Sequence, residues 1–148
     1  LAGGLAILVA ASSCSGSPSA PSVLTLAGNW DGPGSNHLGS HMISLTVAQS
    51  GTSLSGTVAT RRVDPLGTTC ASCHMNKTGT FTGTITGTAL SLNMVFPSGN
   101  PDDPTPICSA TITFSGSNAT GALIEGAYGG SDTCEGTFTS AMLSMTRQ

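Results

Sequence analysis

Charge is what this chain has least of. Charged residues make up 7% of its 148 positions, four of them Lys or Arg and seven Asp or Glu, for a net charge of −3. An ordinary soluble domain carries about a quarter. Four basic residues cannot build the patch that a phosphate backbone requires, so nucleic acid is not an expected partner. Helical signals are missing too: no segment repeats apolar residues at a 3.6 period between caps, which leaves an all-β class. No G-x-S-x-G elbow, H-E-x-x-H pair or phosphate loop occurs, and serines are so frequent that a Ser-His-Asp triad can be drawn from any loop. The expectation is a protein that is not an enzyme.

What the chain does have is alternation. In Ser40–Val58, Ile43, Leu45 and Val47 alternate with Ser44, Thr46 and Ala48, then the pattern breaks around Gly51 and resumes at Leu54, Gly56 and Val58. This is the period of a strand with one buried face, folded back as a hairpin. The unit recurs at Thr80–Phe96 and at Ala110–Tyr128, turning at Gly87-Thr88 and at Ser115–Asn118. The reading gives eight strands, near 26–32, 41–49, 54–62, 79–86, 88–96, 108–115, 119–128 and 134–146. Threonine, favoured on strand faces, solvates the outer face in place of charge. Eight short antiparallel strands in a meander close into an up-and-down barrel, which removes exposed edges. A two-sheet sandwich is the alternative. Leu90, Leu92, Met94, Phe96, Phe81, Ile112, Phe114, Phe138, Leu143 and Met145 would face inward. Whether they fill the interior or line a hollow is left open by the sequence.

Connections two-to-three, four-to-five and six-to-seven read as tight turns. The others, Pro33–Ser40, Val63–Thr78, Pro97–Ile107 and Gly129–Thr133, read as mostly longer. In a meander, alternate connections lie at opposite ends, so the long ones share one mouth. His37, His41 and His74 fall there, with Arg61, Arg62, Lys77, Asp64, Asp102, Asp103 and Asp132. Loops on a rigid scaffold are the usual place for binding residues. His37, His41, Arg61, Arg62 and His74 are therefore the candidate rim residues for a small-molecule ligand. Asp102-Asp103, in the run NPDDPTP, reads as a solvated turn in preference to a Ca²⁺ site.

Residues 1–9, LAGGLAILV, have the length of a signal-peptide apolar core and are too short to span a bilayer. Small residues and then Cys14 follow, which resembles a bacterial lipobox. The resemblance implies a signal peptide over 1–13, truncated at its start, a lipidated Cys14 with a flexible tether over 14–23, and a barrel domain over 24–148. The protein would then be exported and anchored to a membrane of the bacterial envelope. An ordinary secretory signal with a chance cysteine is the alternative.

Four cysteines remain, Cys70, Cys73, Cys108 and Cys134, and an even number in an exported domain reads as two disulfides. The preferred pairing sends one of Cys70 and Cys73 to Cys134 and the other to Cys108. The competing reading takes Cys70-Ala71-Ser72-Cys73-His74 as a C-x-x-C-H haem-attachment motif, with His37, His41 or Met42 as distal ligand and a Cys108–Cys134 bridge for the other two thiols. That would make a mono-haem electron-transfer protein; otherwise no cofactor is expected. Zinc on Cys70, Cys73, His74 and a further cysteine is weaker, because exported thiols are oxidised.

Gly28-Asn29-Trp30 opens the first strand and Arg147 closes the last. This pattern resembles the calycins, the lipocalin and avidin-like barrels, in which a G-x-W motif begins strand one and an Arg from the last strand packs across the Trp. The resemblance implies an eight-stranded barrel, with Gly28, Trp30 and Arg147 at its closed end. Avidin-type barrels hold biotin with several tryptophans; here Trp30 stands alone, so biotin is not carried over. A purely structural envelope module remains a third role.

Overall fold

The computed structural model describes residues 24–36, 39–63, 77–99, 108–118, 120–134 and 136–148. Eight strands follow in order: β1 (Gly28–Asn36), β2 (Gly39–Ser50), β3 (Ser53–Arg62), β4 (Thr78–Thr86), β5 (Ala89–Phe96), β6 (Ala110–Ser117), β7 (Leu123–Asp132) and β8 (Gly136–Arg147). Each pairs antiparallel with the next, and β8 pairs back onto β1, closing a barrel. The sheet therefore does not split into the two layers of a sandwich.

Alternation decides which face is which. β5 buries Leu90, Leu92, Met94 and Phe96 and exposes Ala89, Ser91, Asn93 and Val95. β4 turns Thr78, Thr80, Thr82, Thr84 and Thr86 outward while Phe81 and Ile85 point in. All ten residues expected inside are buried, and with Trp30, Ile43, Leu45, Ile124 and others they form one core. A ligand-sized void would leave its lining with free surface, and these side chains keep 3% or less. The described interior is filled. So narrow a bore is crowded, and Phe114 lies across Gly116 and Gly126, where a Cβ would meet its ring at 2.5 and 2.8 Å.

Several boundaries differ from the sequence reading. β1 runs through Pro33 to Asn36, and β2 starts at Gly39, so the first connection is a short hairpin and not a long loop. Proline is tolerated because β1 pairs with β2 throughout, while its pairing with β8 is interrupted at Gly32 and Pro33. There the strands approach closely: a Cβ on Gly32 would stand 1.8 Å from the Ser144 carbonyl oxygen. The turn between β6 and β7 spans 118–122, later than expected. It is built on Asn118, whose Oδ1 accepts the Gly121 N–H at 2.6 Å, and on Gly121 with φ of 78°. The last connection is also short, at 133–135. Two connections are long, 63–77 and 97–109, and both leave from the same end as the two short hairpins.

The opposite end is closed by residues 24–27. Trp30 is fully buried and its Nε1–H donates to the Leu26 carbonyl at 2.7 Å. Gln49 Oε1 accepts the Leu26 N–H at 2.6 Å, and its Nε2 donates to the Leu24 carbonyl at 2.9 Å. Arg147 lies 5.1 Å from the Trp30 ring centre and donates to the carbonyls of Thr25 (2.7 Å) and Ala27 (3.1 Å). Leu26, thus held, plugs the bottom of the barrel.

Candidate functional site at the barrel mouth

The mouth lies above a layer of buried polar side chains set on an apolar core. His41 follows the inward parity of Ile43 and Leu45, so β2 carries it into the barrel, where it is 3% exposed. Its Nε2 lies 2.9 Å from the Tyr128 hydroxyl, and the two rings meet edge to face at 5.8 Å. Tyr128 and Phe138 also meet edge to face, at 6.2 Å. Burial raises the Tyr128 phenol well above its ordinary value, so it stays protonated.

Lys77 and Asp132 form the second pair. Lys77 precedes β4 and shares the parity of Phe81; Asp132 ends β7 with the parity of Tyr128. Their side chains are 1% and 0% exposed, with Nζ 3.8 Å from Oδ2. Lys77 is tied to β3 by its carbonyl, which accepts the Thr60 N–H at 2.8 Å, and by its N–H, which donates to Thr60 Oγ1 at 3.3 Å.

Cys108 and Cys134 are bonded to each other. The preferred pairing of each with Cys70 or Cys73 is thereby corrected. The reason is local: β6 and β7 are neighbours, and Ser109 and Thr133 exchange two hydrogen bonds of 2.9 Å beside the bridge. This brings the residues that begin β6 and those that follow β7 to one point. Lys77 Nζ donates to the Cys108 carbonyl at 3.2 Å, and Asp132 Oδ1 accepts the Cys134 N–H at 2.8 Å. The disulfide and the ion pair are one assembly. With both sulfurs engaged, the Cys108–Asp132–Cys134 trio is no donor set for a cation.

Of the residues singled out in the sequence, His41 lies inside the mouth, and Arg61 is exposed on the outer wall opposite Met42. Arg62 is placed by its backbone opposite His41. Gly28, Trp30 and Arg147 are together at the closed end, with Trp30 directly opposite Arg147 in the β1–β8 register. Cys14, His37, Asp64, Cys70, Cys73, His74, Asp102 and Asp103 lie outside the described residues. The buried Lys77–Asp132 pair and Tyr128 were missed as partners, although parity with their strand neighbours points all three inward.

The described outer wall includes two grooves. One, about 460 Å³, is bordered by Pro33, Ser35, Ser40, Glu125, Met142 and Ser144. The other, about 500 Å³, is bordered by Ser44, Thr46, Thr57, Thr78, Thr80 and Pro97. Hydroxyls and small apolar groups dominate both, with Glu125 the one ionisable group among those named.

No protein-family model matches the chain, and no curated protein matches it. Among solved structures, a redesigned β-barrel superposes with a TM-score of 0.52, covering 83% of this chain and 91% of that one at 12% identity. At that identity the likeness is one of fold.

Proposed function

We propose that this is an exported, lipid-anchored bacterial envelope protein of calycin-like architecture, without enzymatic activity, that binds a small molecule or a surface component at its loop-bearing mouth. One observation carries the reading: the described interior is filled, and by chain order the strand ends and connections of one end hold most of the charge. Eight of the eleven charged residues (Arg61, Arg62, Asp64, Lys77, Asp102, Asp103, Asp132, Glu135) belong to that end of the strands or to the connections leaving it. The remaining wall presents mostly Thr and Ser, which offers a charged ligand nothing to hold. Residues 24–27 close the opposite end, and the chain leading back to Cys14 departs from there. An anchor at Cys14 would thus turn the mouth away from the membrane.

Two experiments test this. In bacterial cells expressing the protein with a lipoprotein leader ahead of Cys14, Cys14→Ala should move it from the detergent-extracted membrane fraction to the soluble fraction; an unchanged partition refutes the anchor. Immobilised barrel should retain, from envelope extract, species lost when residues 64–76 and 100–107 are replaced by short Gly-Ser links. Equal retention by both proteins refutes mouth recognition.

The mono-haem reading keeps one favourable observation, that the Cys108–Cys134 bond occupies neither Cys70 nor Cys73. A Soret band and a mass increase equal to the cofactor in protein matured with a haem-attachment system would establish it. Their absence would exclude it.

A further inference from the structure

We propose that Cys108–Cys134 is a thiol–disulfide exchange centre that accepts electrons from a dithiol once per molecule, a stoichiometric reactivity without turnover that lies beyond mouth binding. The two cysteines are unequal. Cys134 is exposed, whereas Cys108 is fully buried. Exchange requires a sulfur that an incoming thiolate can reach and a leaving sulfur whose proton can be managed. Behind the buried sulfur stands an acid–base group. The Asp132 carboxylate lies within 4.8 Å of both sulfurs. It is fixed by the Cys134 N–H and faces the Lys77 ammonium, which is itself fixed by the Cys108 carbonyl.

A disulfide that only staples two strands needs no such company. Burying an ion pair costs desolvation that a pair of apolar side chains would avoid, so Lys77 and Asp132 are poorly explained as stabilisers. Buried charge gathered against a reactive group is the arrangement that chemistry uses. Here it gives the buried thiolate a cation nearby and a carboxyl that can pass it a proton.

A thiol of the dithiol gives its proton to the Asp132 carboxylate as its sulfur attacks Cys134 Sγ, the bond to Cys108 breaks, and Asp132 passes that proton to the departing Cys108 sulfur. The second thiolate attacks its own partner sulfur in the mixed disulfide and releases Cys134, which is protonated from solvent. Two electrons and two protons pass from the dithiol to Cys108 and Cys134, and the dithiol departs as a disulfide.

The test uses folded protein and dithiothreitol near pH 7, quenched with acid, alkylated and read at the Cys108 and Cys134 peptides by mass spectrometry. Both peptides should become alkylated while the circular dichroism of the barrel is unchanged. Asp132→Asn should slow this by about tenfold to a hundredfold, and Asp132→Glu should restore the rate. A bridge that resists until denaturant is added overturns the proposal. So does an Asp132→Asn protein that exchanges at the original rate. Should that variant fail to fold, the unmutated protein decides alone.

Discussion

Tyr128 is the single tyrosine of the chain, which makes its environment directly readable. Burial raises its folded-state value, so above about pH 10, where an unfolded phenol ionises, the folded protein holds a proton that the unfolded chain releases. Stability from this group is therefore complete below about pH 10 and falls as pH rises beyond it. Absorbance at about 295 nm should show no phenolate until the barrel unfolds; ionisation near pH 10 with native circular dichroism would contradict the buried contact with His41. At the closed end, Arg147→Ala removes the cation over Trp30 and two hydrogen bonds to carbonyls, at a cost of about 1–2 kcal/mol in urea unfolding, since the Arg is exposed. An unchanged midpoint would show the stack to be incidental. This pairing was legible in the sequence because a G-x-W motif and a terminal Arg name it. The inward turn of His41 was legible as well, from its parity with Ile43 and Leu45, but its nearness to a loop suggested the rim.

Among the elements, strand existence followed from alternation and the turns followed less well. Pro33 looked like the end of β1, because a proline in a central strand removes a ladder hydrogen bond. The strand continues because the unpaired stretch falls on the β8 side alone. Gly116 looked like a turn residue, yet it lies within β6 beneath the Phe114 ring, and the turn belongs to Asn118 and Gly121. Local composition cannot distinguish a glycine that bends the chain from one that makes room for a ring. The β1–β8 seam closes the barrel, and Gly32 is its closest approach. Gly32→Ala should push β1 off β8, exposing two edges and accelerating amide exchange in both strands far more than in β4 and β5. Uniform protection would show that the seam tolerates a Cβ there.

For the molecule as a whole, the meander and its closure were legible, since eight alternating segments with short links have few other solutions. Cysteine pairing was not, because it depends on which loop ends meet in space. The Cys108–Cys134 bridge encloses 26 residues of sequence separation, worth about 3–4 kcal/mol in the chain-entropy picture. Cys134→Ser should lower unfolding stability by that order, and a change well under about 1 kcal/mol would mean the bridge constrains little. The central claim is that the described residues bearing chemistry converge over one end of a closed barrel whose described interior is filled. Non-reducing peptide mapping of the intact protein tests it most directly. The account predicts one linked fragment joining Cys108 to Cys134, and a linkage of either to Cys70 or Cys73 would contradict it.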